Sequence, residues 1–228
     1  MKKLMLFDID RTLVTELGGD KLNLDKYIGT LKNLHDLDVE INLDVQGLTD
    51  KIILGALLEE AGWTDQQIET SMPQLLEELE RVHKRSFRKG SMKLLPGVSE
   101  LLEALTQKGV ALGLVTGNVE SVAKRKLEDV AIWQYFSAGG GFGDDPHTKR
   151  TDLIDVAIGK AGFNNARDNV YVVGDTPRDI AAAQEAGIRH TVGVANGFRK
   201  TQELAAAGAD IVFEDFKNTE AVLARLGL

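Results

Sequence analysis

The chain contains no cysteine in 228 residues, which excludes disulfides, thiolate metal sites and a cysteine nucleophile. Histidine is scarce. The four present (His35, His83, His147 and His190) include no pair at zinc-ligand spacing. No apolar run reaches membrane-spanning length. The short apolar run behind Lys2 and Lys3 is interrupted by Asp8 before any cleavage-type site, so no signal peptide is read, and a cytoplasmic location is the default expectation. An excess of basic charge is also missing. The formal net charge is −8, with acidic and basic residues intermixed, so no nucleic-acid partner and no membrane partner are expected. There is neither an internal repeat nor a low-complexity segment. What remains is an ordinary globular composition, 43% hydrophobic and 27% charged, long enough for one large domain or a domain with a smaller insertion.

The most informative stretch is Lys3 to Leu13, KLMLFDIDRTL. Leu4-Met5-Leu6-Phe7 with Ile9 reads as a strand buried on both faces, as in parallel sheets. Carboxylates are costly inside such a strand, so Asp8 and Asp10 are expected at its C-terminal end, where open α/β sheets bind ligands. Period-two alternation would put both on one side, and a divalent cation is the usual way to hold two close carboxylates together. Taken alone, the stretch fits equally well a strand that simply ends in a turn, because aspartate suits turns.

Beyond Leu13 the pattern turns helical to about Phe87. Asn23 can cap a helix carrying Leu24, Tyr27, Ile28, Leu31 and Leu34. A second helix starts at Thr49-Asp50 and stops at Gly62, and a third runs from about Asp65 to Val82 with a kink or break expected at Pro73. Gly18-Gly19 and Lys89-Gly90-Ser91 are the expected hinges of this helical block. From Leu95 onward helices and strands alternate. Pro96 opens a helix, and strands are read at 110–115, 135–137, 170–173, 191–194 and 211–213. Such alternation predicts an α/β fold with a doubly wound parallel sheet. The division that follows is a core of residues 1–16 and 90–228, with a small all-helical domain over 17–89.

Three strand ends carry polar groups: Asp8 with Asp10, Thr116, and Asp175. Parallel strands end on one face, so these can share a site. Thr116 and Asn118 also fit a strand end and a helix cap, which is the preferred reading of Asn118. Thr176, Pro177 and Asp179 fit the N-cap, N1 and N3 positions of a helix. Gly139 to Asp145 is a glycine-rich acidic loop that departs from the dinucleotide-binding pattern at Asp144. Lys149 and Arg150 stand at a helix start, where the dipole disfavours cations, and suggest an anionic partner.

Asp8-Ile-Asp10-Arg-Thr12-Leu13, Leu114-Val-Thr116-Gly-Asn118, a basic residue, and Val173-Gly-Asp175-Thr-Pro-Arg-Asp179 occur in that order. The set resembles the four motifs of the haloacid dehalogenase superfamily, and the helical block resembles that family's cap. The segment 193–210 is similar to the tail of phosphoglycolate-phosphatase-like members, so the resemblance covers the whole chain. It implies a Rossmann-like core and a Mg²⁺-dependent phosphatase acting on a small phosphorylated metabolite. Asp8 would be the nucleophile and Asp10 the general acid and base. Asp8, the Asp10 backbone carbonyl and Asp175 would hold Mg²⁺, with Asp179 supporting them. Thr116, with nearby N–H groups at Gly117 and Asn118, would bind phosphoryl oxygens, as would Thr12 beside the nucleophile. Arg150, whose spacing to Leu153 matches relatives that use arginine, would be the catalytic cation, with Lys149 the alternative.

One residue departs from the pattern: Arg11 stands where capped members usually carry glycine. It could contact substrate or restrict which substrates enter. Asp10 argues against the C–Cl-cleaving and C–P-cleaving branches, which lack an acid there. A mutase of the β-phosphoglucomutase type and a catalytically silent relative remain open alternatives. A phospho-receiver domain is disfavoured by the seventy-residue insertion after the first strand. The loop 46–50 is expected to face the site.

Overall fold

The structure, a computed structural model, describes residues 2–17, 21–146 and 149–228, with the side chains of 21–23 outside that description. In chain order the elements are β1 (Leu4–Phe7), β2 (Val14–Glu16), α1 (Lys21–His35), α2 (Asp50–Glu60) and α3 (Asp65–Ser86). Then come β3 (Met92–Leu94), α4 (Val98–Gln107), β4 (Ala111–Val115), α5 (Glu120–Asp129), β5 (Gly140–Gly141) and α6 (Arg150–Lys160). The chain closes with β6 (Val170–Gly174), α7 (Pro177–Glu185), β7 (His190–Val194), α8 (Thr201–Ala206), β8 (Ile211–Phe213) and α9 (Thr219–Arg225).

Six strands form one parallel sheet in the order β5-β4-β1-β6-β7-β8. β1 is central, and its alternation divides the interior. Met5 and Phe7 join one apolar layer and Leu4 and Leu6 the other, so every residue of the strand is buried, as an uninterrupted apolar run requires. The helical block has its own apolar core, built on Tyr27, Leu31, Leu54, Leu57, Leu75 and Leu79 and completed by Val119 and Val122 from the start of α5. It therefore packs against the sheet layer through the helix that follows β4.

Several elements differ from the sequence expectation. The two connections to the helical block pair as an antiparallel ribbon, β2 with β3, at the boundaries expected near 16 and 90. Three-residue strands are too short to show a period. Helix α3 runs unbroken through Pro73; the proline is exposed, so the carbonyl it leaves unpaired can be solvated. α1 begins at Lys21, which puts Asn23 inside the helix and not at its cap. The segment expected as a strand at 135–137 is instead a 3₁₀ turn at Trp133–Tyr135 followed by Phe136, whose ring packs edge-on against Phe7. The strand there is Gly140–Gly141, which lacks any side-chain signature because its backbone runs too close to α6: a Cβ on Gly141 would stand 2.0 Å from the Leu153 carbonyl. The expected hinge at Gly18-Gly19 lies outside the described residues.

Candidate active site

The ends of β1, β4 and β6 open on one cavity of about 280 Å³ between the sheet and the helical block. Asp8 follows β1 directly, and its N–H donates to Val173 on β6 at 2.9 Å. Asp10, Thr116, Gly117, Asn118, Arg150 and Asp175 share the cavity wall with it. Across from them the helical block contributes the apolar Leu24, Leu43, Val45, Leu48 and Ile53 with Tyr27, and among them the polar Lys26, Asp44, Gln46 and Asp50, so that wall is mixed. The loop 46–50 does face the site. It is docked there by the Asp50 N–H on the Gly117 carbonyl at 2.8 Å and by Arg178 and Arg199, which both donate to Gln46.

Carboxylate oxygens of Asp8, Asp175 and Asp179 lie within 4.8 Å of one another. Arg150 ties two of these acids together, with Nη2 2.5 Å from Asp8 Oδ1 and Nε 2.6 Å from Asp179 Oδ1. Lys149 is exposed at the N-cap of α6, so of the two candidate cations it is Arg150 that reaches the carboxylates. Burial pushes the Asp8 carboxyl up to about 7, with Arg150 opposing and Asp179 and Asp10 adding to the rise. Burial likewise takes Asp175 up to about 8, reinforced by Asp179 and Asp8. Asp175 Oδ2 is buried with no hydrogen-bond partner. Three crowded hard oxygens, one of them unpartnered, fit a divalent cation such as Mg²⁺.

Asp179 also closes a capping box with Thr176, as its N3 position suggests, accepting from the Thr176 N–H at 2.9 Å. Thr116 is buried and its hydroxyl accepts from the Asn118 N–H and side-chain amide. Thr12 is fully buried, does not line the cavity, and its hydroxyl has no partner. Arg11 lines the cavity with its guanidinium 5.0 Å over the Phe198 ring.

Asn118 is not a helix cap. The N-cap of α5 is Val119, and the Asn118 amide donates instead to Asp10 Oδ2 at 2.7 Å. Asp10 in turn faces a residue that sequence reasoning missed. Lys126 Nζ is 2.8 Å from both Asp10 oxygens. Burial alone would raise the Asp10 carboxyl, but Lys126, with Asn118 and Lys26 behind it, holds it below the usual range. Lys26 and Tyr27, from α1, both bond Asp50 Oδ1, at 2.9 and 2.5 Å. The available signal was positional: Lys126 occupies the same helical stripe as Val119, Val122, Ala123 and Leu127, all buried.

A sequence profile described as haloacid dehalogenase-like hydrolase matches residues 5–193. A phosphoglycolate phosphatase of Haemophilus influenzae is 29% identical over 227 residues, covering 97% of this chain and 98% of that protein. A phosphoglycolate phosphatase of Salmonella choleraesuis is 31% identical over 135 residues, or 59% of this chain, and the match spans about half (52%) of that protein's length. Among solved structures, a hydrolase from Pseudomonas syringae superposes with a TM-score of 0.73 at 25% identity over 99% of each chain. A β-phosphoglucomutase from Clostridium difficile gives a TM-score of 0.73 at 15% identity over 100% of this chain and 98% of that one, a likeness of fold alone. With the profile spanning most of the sequence and all four motif regions gathered at one sheet edge, the chain belongs to the haloacid dehalogenase-like hydrolase family.

Proposed function

We propose that the protein is a Mg²⁺-dependent phosphatase that hydrolyses a small phosphomonoester by way of a phosphoryl group carried on Asp8. The observation that supports this most is the convergence of Asp8, Asp10, Thr116, Arg150 and Asp175 on one small cavity. Held by Asp8, the Asp10 carbonyl and Asp175, with Asp179 behind them, Mg²⁺ would neutralise charge on the transferring group. Arg150 holds one oxygen of the Asp8 carboxylate, and the other is the one we assign to attack phosphorus. Asp10 takes up a proton as the phosphate dianion enters beside it; as the bond from Asp8 to phosphorus forms and the ester P–O bond breaks, that proton passes to the departing alkoxide. Asp10, now a carboxylate, takes a proton from water; the resulting hydroxide attacks the same phosphorus, releasing phosphate and restoring Asp8. Thr116 and the backbone N–H groups beside it serve the phosphoryl oxygens. Lys149, exposed at the helix start, serves no step.

The helical block acts as the cap: its wall, apolar at Leu24, Leu43, Val45, Leu48 and Ile53 and polar at Lys26, Gln46 and Asp50, receives the leaving group and excludes water. The phosphoglycolate phosphatase relatives support a small substrate, and Arg11 at the cavity wall is the residue we assign to selecting it. A mutase would use the same groups and return the phosphoryl group to a sugar. Both readings are tested by phosphate release from a panel of phosphoglycolate, sugar phosphates, nucleoside monophosphates and an aryl phosphate, with and without Mg²⁺. Release that needs Mg²⁺ and is abolished in Asp8→Asn is the expected result. Release that survives Asp8→Asn would remove Asp8 from the role given it, and sugar isomers formed without free phosphate would favour the mutase.

A further inference from the structure

Two lysines, one from each lobe, are buried around Asp10 and Asn118. Lys126 on α5 is 1% exposed and Lys26 on α1 is 3% exposed. Both ammonium groups donate to the single amide oxygen of Asn118, at 3.2 and 3.3 Å. Asp10 answers Lys126, and Asp50 answers Lys26. Asp50 also accepts the Val119 N–H at 2.9 Å and the Tyr27 hydroxyl, so the cluster spans the junction between the helical block and the sheet.

Burying an ammonium costs several kcal/mol unless its partners are well placed, and an apolar side chain of similar volume is often as good or better for stability. Lys126 stands in a stripe whose other members are apolar, so its retention calls for a role in what it touches. What it touches is Asp10 alone among the cavity acids. The Asp10 carboxylate receives three N–H donations, two from Lys126 and one from Asn118, all from the side of α5. About a third of its side chain (36%) nevertheless stays open to the cavity. An aspartate free to turn about two torsions is thereby held in one orientation, with an open edge facing the substrate side.

We propose that Lys126 is a positioning residue for proton transfer. Acting through Asp10, and braced by Asn118 and Lys26, it aims the carboxyl at the leaving oxygen, and Lys26 makes that aim conditional on the docked helical block. This rests on the reading of Asp10 as the general acid. Lys126 itself lies outside the cavity wall and touches no reacting atom.

The test is the leaving-group dependence of kcat/KM, which covers the steps through the first phosphoryl transfer and so reports protonation of the departing oxygen. 4-Nitrophenyl phosphate releases a phenolate that needs little protonation, whereas phenyl phosphate, of nearly the same shape, releases a more basic one. In Lys126→Met, kcat/KM for phenyl phosphate is expected to fall about tenfold further than that for 4-nitrophenyl phosphate, a part of the range general acids supply. Lys26 lines the cavity, but loss of a wall contact would lower both substrates alike because they share a shape; Lys26→Met should therefore show the same selectivity to a smaller degree, and it decides the matter if Lys126→Met does not fold. Asp10→Asn is the control. If Asp10→Asn is selective while the lysine variants lose both substrates equally or neither, the lysines are only cement between lobes and the proposal is overturned. If Asp10→Asn is itself unselective, the reading of Asp10 as the acid fails, and the proposal fails with it.

Discussion

Arg11 holds a backbone conformation with φ of 60°, a left-handed region that glycine enters freely and other residues at a cost of about 1–2 kcal/mol. That explains why capped relatives usually carry glycine here. In this chain the Asn196 amide secures the turn by donating to the carbonyls of Arg11 and Thr12 at 2.9 and 3.2 Å. His83, buried on α3, is a second residue whose surroundings decide its behaviour. Burial, with Lys126, Lys26 and Arg125 nearby and only Asp10 opposing, lowers its pKa to about 3. Arg125 donates to its Nδ1 at 2.8 Å, and the Phe87 ring lies 5.3 Å away. The unfolded chain takes up a proton near pH 6.5 and the native one does not. Stability is therefore full above about 6.5 and falls as pH drops towards 3, by about 2 kcal/mol at pH 5. Denaturant melts of wild type and His83→Gln at pH 7.5 and 5 check this: the variant should lose less on acidification, and an equal loss would contradict the assignment. Asp8 and Asp175 were legible as site residues in the sequence because each ends an apolar run. Lys126 and Lys26 were not, since a lysine on a helix rich in charge reads as solvated until the burial of its stripe is known.

Among the elements, the loop 44–50 and the turn after β4 meet backbone to backbone. A Cβ on Gly117 would stand 2.2 Å from the Leu48 carbonyl oxygen, closer than any side chain permits. Gly117→Ala must push the helical block outward, breaking the Asp50–Gly117 hydrogen bond and the seat of Asp50 on Val119. We expect at least a tenfold loss in kcat/KM with the sheet core intact, read by activity beside a thermal melt, because small misplacements cost about that much. A variant that keeps wild-type kcat/KM would show that docking is not needed for turnover. The buried strands were predictable as short apolar runs, and the amphipathic helices from their period. The β2–β3 ribbon and β5 were not, because they are set by contacts with distant backbone and carry too few side chains to show a pattern.

On the scale of the whole molecule, the sheet and the helical block carry separate apolar cores and enclose a charged centre between them. Among the described residues, no helix is long and apolar enough to cross a membrane. That centre is under electrostatic tension, since Asp8, Asp175 and Asp179 crowd together while Arg150 is bonded to Asp8 and Asp179. Binding of a divalent cation should therefore stabilise the fold as well as serve the reaction. At a Mg²⁺ concentration one hundred times Kd the gain is about 2.7 kcal/mol, seen as a rise in Tm. Asp175→Asn should melt above wild type without metal, through relief of repulsion, and gain little when Mg²⁺ is added. An equal gain in the variant would place the cation elsewhere.

The central claim is that phosphoryl transfer passes through Asp8, and it is tested most directly by rapid acid quench during turnover of an aryl phosphate with Mg²⁺, followed by mass analysis of the peptide that carries Asp8. The account predicts one phosphoryl group on that peptide in the wild type and none in Asp8→Asn. Steady turnover with no phosphoryl group on that peptide at any quench time, or a phosphoryl group found on another residue, would contradict it.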